Sequence, residues 1–162
     1  IDPDHTKATQ GIFSTSPGAG VSMTTAFIDQ VIGTAILVAV IFALTNAVNN
    51  PPLGNMAPLI IGILVVAIGM AWGTNAGYAI NPARDFGPRL ASLLTGYGDA
   101  MFSANGPELY FWVPIVAPII GGLLGGAIFV FGIERFLPSE SDDSQEIGVS
   151  EPTESEHVGA RH

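Results

Sequence analysis

Three long apolar runs alternate with polar segments along this chain. They cover about residues 24–45, 58–74 and 110–134, and the first, TTAFIDQVIGTAILVAVIFALT, contains Asp29 as its single charged residue. A helix of about 20 apolar residues spans the hydrocarbon core of a bilayer. The pattern therefore predicts three transmembrane helices. Segments rich in Asn, Pro and Gly, such as NAVNNPPLGNMA, are typical of the loops that connect such helices.

A fourth segment, residues 82–95, has a helical pattern but is too short and too charged to cross a membrane. At 1.5 Å per residue it would extend about 21 Å, roughly two-thirds of the hydrocarbon thickness. Asn81 followed by Pro82 is typical of a helix start, because the Asn side chain can cap and proline tolerates the first helical position. The sequence predicts a re-entrant half-helix that begins at Asn81, inside the membrane.

The two ends of the chain are polar. Residues 1–20 lack a basic stretch followed by an apolar one, so they are predicted to form a loop and not a signal peptide. Because the chain opens within this loop and has no initiator methionine, we expect it to be part of a longer protein. Residues 138–162 are rich in Ser, Glu and Pro and are predicted to be a disordered acidic tail.

The composition agrees with a membrane protein: 48% of the residues are hydrophobic and 12% are charged. Much of the net charge of −9 comes from residues 134–162, which hold eight acids and two arginines. The nearly neutral remainder argues against nucleic-acid binding. There is no cysteine, and we find no metal-ligand cluster, catalytic nucleophile or phosphate-binding loop. We therefore expect neither an enzyme nor a bound cofactor or metal.

Charge is concentrated in the predicted half-helix. An arginine at membrane depth costs about 2.5 to 3.5 kcal/mol, and a cation in the first turn is repelled by the helix dipole. Asp85 and Arg89 are four residues apart and can form an ion pair on one helical face. This leaves Arg84 without an evident acidic partner. We therefore expect Arg84 to face a water-filled passage; a structural ion pair is the alternative.

Glycines recur every four residues in two of the apolar runs. Small residues at this interval allow the backbones of two helices to approach closely. The sequence therefore predicts close helix contacts at Gly69, Gly73 and Gly77 in the second run, and at Gly121 with Gly125 and Gly122 with Gly126 in the third.

The stretch GYAINPARDFGPRL, residues 77–90, resembles the second Asn-Pro-Ala box of the major intrinsic proteins. The aspartate directly after NPAR is similar to the residue found there in the aquaglyceroporin branch of that family. The likeness covers roughly residues 11–137 and includes GTAIL at 33–37, APLIIGILVVAIG at 57–69, GYG at 96–98 and WVPIVAPIIGG at 112–122.

This resemblance implies an all-α membrane fold of six spanning helices and two half-helices, arranged as two inverted repeats and assembled into homotetramers. Residues 21–137 correspond to the second repeat, and no first Asn-Pro-Ala box occurs. Because inverted repeats lie in opposite orientations, two copies inserted the same way could not rebuild the pore, and we expect a missing N-terminal half. The resemblance also implies a multi-pass plasma-membrane protein with residues 1–20 extracellular and residues 138–162 cytoplasmic.

Site residues follow from the same resemblance. Arg84 would donate hydrogen bonds at the narrowest point, Tyr78 would form an aromatic wall, Gly69 would leave space, and Asn81 would offer its amide at the pore centre. The backbone carbonyls of an unwound segment would form a polar ladder, from Ala76, Gly77, Tyr78 and Ala79. Supporting roles would belong to Pro82, Ala83, Asp85 and Gln30.

The implied function is passive conduction of glycerol and small uncharged solutes, with some water permeability. Membrane lipid would surround the protein. A secondary transporter is an alternative, because transporters also use broken helices at the membrane midplane. Against it, no acidic proton relay is evident inside the spans. A non-conducting membrane adaptor that recruits a partner through the acidic tail is a further alternative.

Overall fold

The computed structural model describes residues 3–103 and 108–138. Most of the predicted acidic tail lies outside these residues. The described part of the chain forms five α-helices, which are α1 Lys7–Phe13, α2 Met23–Thr45, α3 Ala57–Ala76, α4 Pro82–Ser92 and α5 Val113–Gly132. After α4 the chain continues through a wide helical turn, Leu93–Tyr97, and a 3-10 turn, Gly98–Phe102.

Three of these helices, α2, α3 and α5, are long and apolar enough to cross a membrane, and they are the only such helices among the described residues. They correspond to the three apolar runs of the sequence. Helix α4 is 11 residues long and begins at Pro82, directly after the predicted cap Asn81. It ends at Ser92, before the predicted end at residue 95, because the chain widens there into the turn Leu93–Tyr97. The architecture is therefore three spanning helices and one half-helix.

Helices α2 and α5 form the most extensive helix pair, and two glycines of α5 make it possible. A Cβ at Gly121 would overlap the carbonyl oxygen of Val31, and one at Gly125 would overlap the carbonyl oxygen of Ala35. The backbones thus touch where the sequence predicts small-residue packing. This part of the glycine prediction is confirmed.

The glycines of α3 have a different role. A Cβ at Gly69 or Gly73 would meet the Tyr78 ring, and a Cβ at Gly77 would meet Thr15. In the described part of the chain, no atom of another spanning helix is among the nearest neighbours of a Cβ at any of the three, so the prediction of helix contacts at these glycines is wrong. The reason is that the chain turns back after Ala76 and covers this face itself.

Helix α3 leaves an apolar face uncovered. Of its 20 residues only Ile68 and Ala76 are buried. Its large exposed side chains recur at helical spacing and are 56–81% exposed at Leu59, Ile63, Val66 and Met70. In water such a stripe would be unfavourable, so this face requires lipid or another protein surface.

Helix α1 lies within residues 1–20, which the sequence predicts to be a loop. The hydroxyl groups of Thr9 and Tyr97 are 2.7 Å apart, and the Phe13 ring packs edge-on against Tyr97 at 5.7 Å. Seven residues are too few for hydrophobic periodicity to identify a helix. The helix therefore depends on its contacts with the turn that follows α4.

Candidate functional site

Between α3 and α4 the backbone takes an unusual path. Gly77 has φ of 77° and ends α3, while Tyr78 and Ile80 have φ of 38° and 43°. Left-handed conformations are uncommon for bulky residues, so surrounding contacts must hold them. One such contact is visible: the Ile80 N–H donates to Oε1 of the fully buried Gln30 over 2.9 Å. Gln30 thus holds the end of this segment at Ile80.

The predicted carbonyl ladder falls on this irregular backbone. Ala76 is the last residue of α3, and Ala76 and Ala79 have fully buried side chains. No donor among the described residues hydrogen-bonds to the carbonyls of Gly77, Tyr78 or Ala79. Three consecutive carbonyl groups therefore remain available as acceptors.

The Tyr78 ring lies on the glycine face of α3. A Cβ at Gly69 would be 3.2 Å from Tyr78 Cζ, and a Cβ at Gly73 would be 3.1 Å from Tyr78 Cδ1. These distances are shorter than ordinary van der Waals contacts, so glycine provides the seat for this ring. Arg84 Cζ lies 5.6 Å from the centre of the same ring, within cation–π range. The structure thus brings Gly69, Tyr78 and Arg84 together.

The start of α4 is rich in hydrogen-bond donors. Asn81 Oδ1 accepts from the backbone N–H groups of Ala83 at 2.9 Å and Arg84 at 3.3 Å, which confirms the predicted cap. Since the oxygen is engaged, the Asn81 amide nitrogen is left as a donor. Asn81, Ala83 and Arg84 are exposed, and Pro82 is half-buried. No acidic side chain in the described ranges forms a salt bridge with Arg84.

Beneath this surface lies a fully buried ion pair. Arg89 Nε donates to Asp85 Oδ1 over 2.6 Å, and both side chains are 0% exposed, which confirms the predicted pairing. Asp85 Oδ2 accepts from the Thr15 N–H at 2.6 Å and the Thr15 hydroxyl at 2.7 Å. The Arg89 guanidinium also donates to the carbonyls of Thr15 and Met101. The two charges thus neutralise each other, and their hydrogen bonds to Thr15 attach α4 to the segment after α1.

Thr15 is a supporting residue that the sequence did not reveal. It lies 70 residues before Asp85, in a polar stretch without a recognisable pattern. Only the three-dimensional structure brings it to the half-helix.

Tyr110 also has a role other than the expected one. With Phe111 and Trp112 it marks the entry of the third apolar run, which predicts an aromatic anchor at the membrane interface. In the structure Tyr110 is fully buried, and its ring centre is 5.6 Å from Arg89 Cζ. The prediction is wrong for Tyr110, because its ring packs in the buried apolar cluster with Ala76 and Val113. Trp112 is 40% exposed.

Comparison with known proteins gives consistent results. The sequence model of the major intrinsic protein family matches residues 4–129. The glycerol uptake facilitator protein of Pseudomonas aeruginosa is 48% identical over 132 residues, 82% of this chain and 47% of that protein. The propanediol uptake facilitator PduF of Citrobacter freundii is 48% identical over 127 residues, 78% of this chain and 47% of that protein.

A solved structure supports the same relationship. The aquaglyceroporin from Plasmodium falciparum matches with a TM-score of 0.66 and 33% identity, over 74% of this chain and 49% of that one. The chain thus spans about half the length of the relatives it matches. Its three spanning helices and half-helix have the aquaporin-like fold, and it is a multi-pass membrane protein. On the extent of the sequence match and this shared fold, the chain belongs to the major intrinsic protein family.

Proposed function

We propose that this chain forms the second half of a passive membrane channel for glycerol and other small uncharged solutes, with some water permeability. The observation that carries the proposal is the meeting of Gly69, Tyr78 and Arg84 beside the exposed start of a half-helix. The names of the relatives, glycerol and propanediol uptake facilitators, support this substrate class.

The two sides of this surface suit the two sides of a polyol. Arg84 supplies hydrogen-bond donors to hydroxyl groups, while the Tyr78 ring supplies an apolar face for the carbon edge. The carbonyls of residues 77–79, to which no described residue donates, supply acceptors on the same segment. The hydroxyl edge of a polyol can hydrogen-bond to Arg84 and the carbonyls, while its carbon edge packs against the Tyr78 ring.

The same surface disfavours cations. The Arg84 charge and the positive end of the α4 dipole both repel positive ions, and the Asn81 amide presents a donor where a cation needs acceptors. Channels use such fixed charges and dipole ends as electrostatic barriers. Conduction of neutral solutes without ion leak is the expected result.

An N-terminal half supplies the other pore wall in this proposal, because the matched relatives are about twice as long as this chain. The uncovered face of α3 then lies against that half, a neighbouring subunit or lipid. We further propose a homotetramer in the plasma membrane, with residues 1–20 extracellular and residues 138–162 cytoplasmic. No enzymatic activity or cofactor is part of the proposal.

Vesicle swelling tests the function directly. The complete channel, reconstituted into liposomes, should admit glycerol down its gradient with no ion gradient present, whereas residues 1–162 alone should give the background rate of empty liposomes. A requirement for an ion gradient would instead indicate a secondary transporter. An adaptor predicts no flux at all, and deletion of residues 138–162 should leave the flux of a channel intact.

Arg84→Val should let protons and small cations leak through the complete channel, because a fixed positive charge is removed from the passage. We expect roughly a tenfold increase in leak, at the low end of what a local charge does to ion concentration in a cleft. The measurement is decay of a pH gradient in proteoliposomes. Arg135→Val is the matched control, because Arg135 also lies over an aromatic ring, Phe136 at 4.9 Å, but beyond the end of α5. Unchanged leak with lower folded yield would make Arg84 a structural residue.

A further inference from the structure

A partly buried polar contact, between the buried Asp29 and the exposed Asn75, lies beside the segment that carries Tyr78. Asn75 Nδ2 donates to Asp29 Oδ1 over 3.1 Å, joining the end of α3 to the second turn of α2. Asp29 is 7% exposed, and its Oδ2 has no hydrogen-bond partner among the described residues. A buried carboxylate is costly, so a role other than stability is needed to explain it.

Position along the chain indicates that role. Asp29 and Gln30 are consecutive in α2, and they hold the two ends of one short segment. Asp29 binds Asn75, just before the backbone leaves α3, and Gln30 binds the Ile80 N–H, just before α4 begins. Tyr78 lies between these two attachments.

Asn75 is also held through its backbone. Its carbonyl accepts from the Gly18 N–H over 2.8 Å. Asn75 is therefore held both by α2 and by the loop that precedes α2. The next residue, Ala76, is fully buried in the apolar core. The start of the irregular segment is therefore fixed on three sides, and the left-handed φ of Tyr78 can be maintained.

We propose that Asp29, acting through Asn75, is a positioning residue that keeps the Tyr78 ring in its seat on Gly69 and Gly73 and thereby sets the preference for glycerol over water. The inference rests on the proposed channel function. Without the Asp29–Asn75 contact, the start of the segment is freer and the ring can swing away from α3 towards Arg84. A ring in the passage obstructs a three-carbon solute more than it obstructs water.

The test compares glycerol and water permeability of the complete channel in proteoliposomes, per folded protein. Asp29→Leu and Asn75→Leu each remove the contact at similar volume. The ratio of glycerol to water permeability should fall about fivefold, the factor expected when one ordinary hydrogen bond is lost. Asp29→Asn keeps an acceptor oxygen in the same place and should retain the ratio. The exchange Asp29→Asn with Asn75→Asp should also retain it.

A matched control exists at the opposite end of α2. Asn46 Nδ2 donates to Glu134 Oε1 over 3.1 Å, the same amide-to-carboxylate contact between two helix ends, but exposed. Asn46→Leu should leave the permeability ratio unchanged.

Each outcome decides the matter. An unchanged ratio in Asp29→Leu, including the case in which both permeabilities per folded protein fall equally, overturns the inference and makes the pair structural. If Asn75→Leu does not reach the membrane, Asp29→Leu and the exchanged pair still give the ratio. Absence of glycerol flux in the unaltered channel would instead refute the proposed function itself.

Discussion

Replacing Gly69 with histidine is expected to remove most glycerol permeation from the complete channel while water permeation changes much less. Even a Cβ at this position would lie 3.2 to 3.3 Å from three atoms of the Tyr78 ring. The imidazole therefore takes the place of the ring, and Tyr78 must move into the passage beside Arg84. We expect glycerol permeability to fall roughly tenfold or more, which corresponds to an increase of about 1.4 kcal/mol in the barrier to permeation.

The structure alters the reasoning for this variant. The sequence suggests that Gly69 leaves open space in the passage, whereas the structure shows that the Tyr78 ring covers Gly69. The steric effect of histidine therefore acts through the displaced tyrosine.

Glycerol and water permeability are measured on the same purified Gly69→His protein. Gly62→His is the matched control, because Gly62 is on the same helix and a Cβ there meets nothing within 4 Å. Loss of both permeabilities in proportion to folded yield would contradict the assignment of Gly69 to the filter, as would glycerol flux equal to that of the control.

Arg89→Met is expected to cause the largest loss of stability. It leaves the carboxylate of Asp85 buried at 0% exposure without its counter-ion, and it removes the donors to the Thr15 and Met101 carbonyls. Breaking a buried ion pair on one side costs about 3 to 5 kcal/mol. The loss of stability is measured by thermal unfolding of the detergent-solubilised channel, with the folded fraction recorded against temperature.

Two further variants identify the cause. Arg89→Met combined with Asp85→Leu removes both charges and should recover part of the stability, because no buried charge is left unpaired. Arg135→Met removes an exposed arginine and should change stability by less than about 0.5 kcal/mol. If Arg89→Met unfolds at the same temperature as the unaltered channel, the ion pair does not hold α4 in place.

Features that depend on neighbouring residues were predictable from the sequence. The lengths of the apolar runs indicated the three spans, Asn81 before Pro82 indicated the capped start of α4, and the spacing of Asp85 and Arg89 indicated their ion pair. Each of these depends on helix geometry or helix capping, which operate over one or two turns. The resemblance to the family added that Gly69, Tyr78 and Arg84 belong to one site.

Contacts between distant segments were not predictable in this way. Thr15 and Asp85 are 70 residues apart, and Asp29 and Asn75 are 46 residues apart. Neither separation produces a periodic pattern. The glycines of α3 illustrate the same limit. A four-residue glycine spacing is the same in the sequence whether a neighbouring helix or the Tyr78 ring packs on that face.

The contacts of α4 also bear on the order in which the protein is assembled during synthesis. Thr15, which donates to Asp85 and accepts from Arg89, leaves the ribosome 70 residues before Asp85, whereas Met101, which also accepts from Arg89, follows that arginine by 12 residues. Chains fold from the N-terminus as they are made. The Thr15 groups that bind the half-helix therefore already exist when its charges emerge, and the Asp85–Arg89 pair is complete once Met101 follows. The charged segment therefore has a binding partner in Thr15 as soon as it is made and does not remain unpaired at the membrane surface.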